Sequence, residues 1–357
     1  MSQSCFRPHC SHAVVSGVWS RLGLLLLYAA AILTFIPQVE AWEWVPSDEE
    51  MQKYRQSWNP FSHGPILHTA VDLQPKGQSL LRPFIFSQIG ERSFGNRFSF
   101  ATESKPGPVH LYSVQEPSLE FAYGLTDHIQ FGATTSLQSF WARENGKVDT
   151  DTGPGDTSIA IKYRPIVQDP DSRRPSLTFF NHMVLPTGKW FGTSKPPGGF
   201  APIGRFPATR FGEVAFTEGI MTRKNLKPYR WQAGVFYTYS APGSQDNITT
   251  YTGDLVNTRV SFEHILDDKT GFGYGLELVT LHGLTWRADG HSINRGQQSG
   301  FSIIGVEPTI QWRFGNTNFV GAAGVLFTVA GQNASDSFYP NLSIFYYWSQ
   351  TGKVLMR

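Results

Sequence analysis

Past residue 41 the chain never offers the ~18 consecutive apolar residues that carry a helix across a bilayer, yet it repeats segments of about ten residues in which apolar and polar side chains alternate. A period of two gives a strand with two unlike faces. In 253–265, Val256, Thr258, Val260 and Phe262 share one face, and Asn257, Arg259, Ser261 and Glu263 the other. In 302–313, Ile304, Val306, Ile310 and Trp312 oppose Glu307, Thr309, Gln311 and Arg313. In 271–281, Phe272, Tyr274, Leu276 and Leu278 oppose Gly273, Gly275 and Glu277. Strands this long, apolar toward lipid and polar toward a lumen, predict an all-β transmembrane antiparallel up-and-down barrel.

The pattern predicts twelve strands, near 79–89, 115–124, 128–141, 155–165, 174–186, 208–222, 229–240, 253–265, 271–284, 299–313, 318–330 and 338–348. An even number suits a bacterial barrel, and the connections support it by alternating in length. Short turns fall at 125–127, 223–227, 266–270 and 314–317. Longer Gly/Pro-rich segments fall at 90–114, 142–154, 187–207, 241–252, 285–298 and 331–337, the outer side, which leaves both termini in the periplasm. The segment 166–173 is longer than a tight turn although it belongs to the periplasmic set. A secreted β-sandwich also alternates, but its strands average ~5–6 residues. Composition agrees with the barrel: charged residues make up 16% and aromatics 14%, and 35 of 357 residues are glycine. Tyr123, Tyr163, Trp190, Trp231, Tyr239, Trp286, Trp312 and Trp348 sit near strand ends, where membrane interfaces hold amphipathic rings.

Residues 1–41 read as a signal peptide: Arg21, then the apolar run Leu22–Ile36, then Val39-Glu40-Ala41 as a small-residue cleavage site. The fifteen-residue run is short for a membrane span, which takes ~20. Cys5 and Cys10 would leave with it, and the exported chain is nearly neutral. The formal charge of +2 gives no footprint for nucleic acid. Residues 42–77 stand outside the alternation. Ser47 and Glu50 form a capping box that opens a short helix to about Trp58, after which Pro60, Gly64, Pro65 and Pro75 keep the chain extended. This periplasmic N-terminal segment is either a leader to the barrel or a plug in its lumen. Residues 78–348 are the barrel and 349–357 a C-terminal tail.

No nucleophile elbow, zinc-binding His-Glu-x-x-His or phosphate loop occurs. The histidines are scattered without metal-ligand spacing, and His182 reads as a polar lining residue. No catalytic residue, metal ligand or cofactor is therefore assigned. The candidate functional residues are the charges on predicted inward faces: Glu120, Lys162, Arg164, Glu213, Arg259, Glu263, Glu277, Glu307 and Arg313. Such charges either set the selectivity of an open pore or cross-link the wall and close it. Twelve strands lie between filled eight-strand barrels and the open channels of ~16–18.

Three stretches carry a family resemblance: Glu120 to His128 (EFAYGLTDH), Gly155 to Arg164 (GDTSIAIKYR) and Val184 to Gly188 (VLPTG). They resemble the outer-membrane proteins grouped as phenol-degradation MetA-pathway transporters, in which a G-L-T-D turn, a G-D…K-Y-R strand and an L-P-T-G strand end follow in this order. The resemblance spans about residues 79–348 and implies a membrane barrel that passes small solutes, aromatic or hydrophobic compounds among them. The expected partners are outer-membrane lipid and lipopolysaccharide, the barrel-assembly machinery and the solute. The competing readings are a structural or adhesive barrel with a closed lumen and a lipid-acting hydrolase with Ser and His paired near the outer rim.

Overall fold

The computed structural model describes residues 45–67, 69–144, 147–188, 214–245, 248–251, 253–284, 287–288, 291–292, 300–352 and 354. The proposed signal peptide therefore lies outside the described residues, as does nearly all of the 187–207 loop.

Twelve strands form the wall: β1 (Gln78–Ser93), β2 (Lys105–Gly124), β3 (Ile129–Glu144), β4 (Thr157–Ile166), β5 (Ser176–Leu185), β6 (Ala215–Leu226), β7 (Tyr229–Ser240), β8 (Leu255–Asp267), β9 (Phe272–Gly283), β10 (Phe301–Arg313), β11 (Phe319–Gln332) and β12 (Ser335–Ser349). Each pairs antiparallel with its sequence neighbours. The ring closes because β1 pairs on one side with β2, Ser79 opposite Tyr123, and on the other with β12, Ser79 opposite Trp348. Closure removes the free edge, which lipid could not satisfy.

The faces follow the sequence pattern. On β8 and β9, Val256, Val260, Phe262, Tyr274, Leu276 and Leu278 are exposed on the outside, while Asn257, Ser261, Glu263 and Glu277 are buried inside. Outward rings meet near the periplasmic turns: Tyr229 stacks on Phe262, and Phe319 on Tyr346, which stacks in turn on Trp348. An apolar outer band with aromatic rings at its margin is the surface of an outer-membrane barrel.

Several boundaries differ from the sequence expectation, and β1 and β3 each run three or four residues further than expected, to Ser93 and Glu144. β2 begins at Lys105 inside the expected 90–114 loop, and its extra residues pair with the far end of β3, Val109 opposite Glu144. Lys147–Pro154 pairs back along β3, so most of the 142–154 loop is a prolonged hairpin. The expected 331–337 loop is only Asn333 and Ala334, because Asn333 takes a positive φ of 50°, which asparagine tolerates. β6 runs on to Leu226 and leaves Lys227 and Pro228 as the turn, since Arg223 and Asn225 still have partners inside the barrel.

The connection between β4 and β5 is long for a periplasmic turn because it is a small folded unit. Lys224 donates to the carbonyls of Asp169 and Ser172, both at 2.6 Å, and of Arg174 at 3.2 Å. Helix α1 (Asp48–Gln56), opened by the Ser47/Glu50 capping box, docks here. Lys53 pairs with Asp171 at 2.8 Å and Arg174 with Glu50 at 2.7 Å. Met51 and Tyr54 pack on Val167.

Candidate functional site: the plugged lumen

From α1 the chain enters the barrel. Among the described residues 57–67 and 69–77 no strand ladder forms, so their peptide groups must find partners elsewhere. The inward side chains of the wall supply them. Ile66 donates its N–H to Glu277 at 2.6 Å, and its carbonyl accepts from Arg82 at 2.6 Å. The Leu67 carbonyl accepts from Arg259. The Ala70 carbonyl accepts from Lys162 at 2.7 Å, and that of Val71 from Thr178 at 2.8 Å. Gln74 donates to Gln130 at 2.7 Å, and Gly64 exchanges two bonds with Gln311. These partners come from strands all round the barrel, so the segment crosses the lumen as a plug. Its apolar side chains fill the gaps: Ile66 packs with Leu80, Ala122, Val320, Phe345 and Tyr347. His63 bonds Tyr347 at 2.8 Å and stacks on Phe345 at 3.8 Å. Gly124, at the end of β2, is a glycine because a Cβ there would overlap the backbone of Pro75.

Two buried ion clusters lock this arrangement. In the first, Asp72 of the plug sits between Arg164 of β4 and Arg223 of β6. Tyr54 of α1 donates to the same carboxylate at 2.9 Å and accepts from both guanidinium groups at 3.3 Å. In the second, Arg230 pairs with Glu263 and donates to Ser62 at 2.7 Å, while Gln311 donates to Glu263 at 2.8 Å.

The candidate residues thus divide. Glu120, which pairs with Arg82 at 3.1 Å, faces a cavity above the plug together with Lys162 and Arg259. Glu277 bonds the plug directly at Ile66, and Glu263 acts on it through Arg230 and Gln311. Glu307 lies opposite Glu277 and accepts from Asn341. Arg164 belongs to the Asp72 cluster, and Arg313 lies at the periplasmic rim, over the Phe61 ring at 3.9 Å. Glu213 lies outside the described residues. Arg82, Asp72, Arg223, Arg230 and Gln311 are functional residues that the sequence reading missed. Arg82 was legible in principle, as a charge in β1 flanked by outward Leu81 and Pro83. Asp72 carries no signal, because its segment has no period.

The cavity measures about 250 Å³. Its floor is Ile66, Leu67 and Thr69 of the plug; its walls combine Phe84, Phe86, Phe180, Phe236, Leu281 and Ile303 with the charges named above. Toward the extracellular end Phe94 packs on Leu281, Phe301, Ile303 and Ala334.

At the periplasmic rim, Trp58 donates its indole N–H to Asp268 at 2.9 Å. Lys227 and then this indole hold the Asp268 carboxyl below the ordinary value. A lowered folded-state value means the bond is complete at neutral pH and is lost as the pH falls through that value, below about pH 4. Tryptophan fluorescence of the folded barrel is expected to report release of Trp58 in that window. Asp268→Asn is expected to remove the transition; a transition unchanged in the variant would contradict the assignment.

No protein-family model and no curated protein matches the chain. Among solved structures, an outer-membrane channel from Pseudomonas putida F1 superposes with a TM-score of 0.60 at 11% identity, covering 80% of this chain and all of that one. The TodX monoaromatic hydrocarbon channel matches with a TM-score of 0.36 at 10% identity, covering 76% of this chain and 90% of that one. A Pseudomonas aeruginosa FadL homologue gives 0.35 at 10% identity, with the same coverages. The first likeness extends over the whole of its partner and shows that the two chains share the fold of an outer-membrane barrel.

Proposed function

We propose that this protein is a non-enzymatic outer-membrane channel or uptake protein for small solutes, aromatic or hydrophobic compounds among them, kept closed at rest by its own N-terminal segment. The observation that carries the reading is the cavity above the plug. A wall built only for strength would fill its lumen, whereas this one fills the periplasmic half and leaves a concave, mixed apolar and charged space in the other. The resemblance to phenol-degradation MetA-pathway transporters and the barrel fold agree with it. Outer-membrane lipid and lipopolysaccharide are the proposed surroundings, and the barrel-assembly machinery the proposed route of insertion.

Filling the cavity tests the reading. Ser158 is buried on the inward face of β4 and lines the cavity. With the plug released by Asp72→Asn, Ser158→Trp is expected to slow the uptake of benzenesulfonate, whose fixed charge keeps it from crossing lipid unaided, into proteoliposomes about tenfold while the barrel stays folded. Uptake equal to that of the parent, or to that of empty liposomes in both proteins, would contradict the proposal and leave the closed structural or adhesive barrel.

One contact favours a lipid-acting hydrolase as a second reading: His282 Nδ1 meets Ser302 Oγ at 2.9 Å on the outer face of β9 and β10. Among the described residues no side chain orients the other ring nitrogen, which a base of this kind needs. Phospholipid hydrolysis abolished by Ser302→Ala would establish this reading, and its absence would remove it.

A further inference from the structure

The cavity has one end suited to an anion and one suited to a hydrocarbon. Its charged lining residues are Arg82, Lys162, Arg259, Glu120 and Asp156. Arg82 and Glu120 neutralise each other at 3.1 Å, and the Asp156 carboxylate accepts from the Gly188 N–H at 2.9 Å. Lys162 is different. It is buried, and among the described residues it makes no ion pair within bonding distance and one hydrogen bond, to the Ala70 carbonyl at 2.7 Å, while Glu120 and Asp72 act on it from further off. An ammonium has three N–H donors, so two are left for a ligand, and Lys162 lines the cavity.

A second polar group stands beside it. His182 lines the same cavity, and its Nδ1 is buried without a hydrogen-bond partner. Lys162 lies directly opposite Phe180 and Ala160 opposite His182, so Lys162 and His182 are diagonal neighbours on the inner faces of β4 and β5. Diagonal positions are about 7–8 Å apart, within reach of long side chains. A carboxylate held by the ammonium can therefore offer its second oxygen to the imidazole N–H once the His182 ring turns toward the cavity, since its Nδ1 as it stands has almost no accessible surface. Around the pair the wall turns aromatic: Phe180 stacks near His182, and Phe236 meets Phe180 edge-on at 5.8 Å.

We propose that the cavity is a binding site for small amphipathic monocarboxylates, of one ring or a six- to eight-carbon chain. Lys162 and His182 hold the carboxylate, and Phe180 and Phe236 cover the hydrocarbon. The size agrees: about 250 Å³ exceeds the roughly 150 Å³ that holds benzene and falls below the ~300–1,000 Å³ of drug-sized pockets. The proposal names the solute class for the uptake function above and rests on that reading for its biological meaning, though binding itself does not require transport.

Titration calorimetry of the refolded full-length protein with benzoate, hexanoate, benzyl alcohol, benzylamine and acetate tests it. Benzoate and hexanoate are expected to bind, benzyl alcohol about tenfold or more weakly, and benzylamine and acetate without saturation. Loss of a charge-assisted hydrogen bond predicts that Lys162→Gln weakens benzoate about 10- to 150-fold and leaves benzyl alcohol within about twofold. His182→Asn is expected to weaken benzoate alone as well. Benzoate and benzyl alcohol binding equally to the parent, neither binding, or benzoate unaffected by Lys162→Gln would each overturn the proposal. Should a variant not fold, the comparison of the five probes on the parent decides. Benzoate binding in a protein that passes no solute keeps the site and removes the channel; solute passage without benzoate preference does the reverse.

Discussion

Asp72→Asn is expected to release the plug. The carboxylate stands between two guanidinium groups, each 2% exposed, and is itself 9% exposed. Without it Arg164 and Arg223 face each other as buried like charges, and one of the two oxygens that accept from Tyr54 and the guanidinium groups becomes an amide donor. Breaking a buried ion pair from one side costs about 3–5 kcal/mol, which shifts the docked-to-undocked ratio by about two to four orders of magnitude. The barrel should persist, since Asp72 belongs to no strand, while the segment that it pins should become reachable from the periplasmic side. With Cys5 and Cys10 replaced by serine and Ala70→Cys added, a water-soluble thiol reagent is expected to label Cys-bearing protein slowly in the parent and at least about a hundredfold faster with Asp72→Asn. Equal labelling rates would show that the plug is held by its apolar contacts and peptide hydrogen bonds alone.

The contrast between Asp72 and the residues visible in the sequence explains what could be read in advance. Glu263 and Glu277 stand in strands whose opposite faces are rows of mostly Val, Phe, Tyr and Leu, with Thr258 among them and Thr280 toward one end, so their inward direction follows from the period of two. That same regularity fixed strand number, order and the short turns. The upper lumen was not legible because its inward side is itself apolar: Val279 and Leu281 on β9, Phe301 and Ile303 on β10, Phe180 on β5 and Phe236 on β7. Where both faces are apolar, alternation vanishes and a cavity wall looks like any buried strand. The plug was illegible for another reason. Its partners lie far away in sequence, Gly64 bonding to Gln311 and Val71 to Thr178, and an extended chain has no period that announces such contacts.

The charges first read as a pore lining therefore do something more particular. Glu277, Arg259 and Lys162 are placed where an open channel would have selectivity groups, but at rest they bond peptide groups of Ile66, Leu67 and Ala70. Removing the plug exposes all of them to water at once. It also opens the periplasmic half of a twelve-stranded lumen, between the filled and open limits of barrel size. Few changes in this chain should have a larger effect on function.

Single-channel conductance in a planar bilayer therefore tests the central claim most directly, comparing the intact chain with a chain lacking residues 45–77. The intact protein is expected to be closed, with rare brief openings, and the shortened one to carry steady current whose ion selectivity shifts when Glu277 or Arg259 is neutralised. No current from a folded, shortened barrel, or equal steady current from both, would contradict the account of a channel closed by its own N-terminal segment.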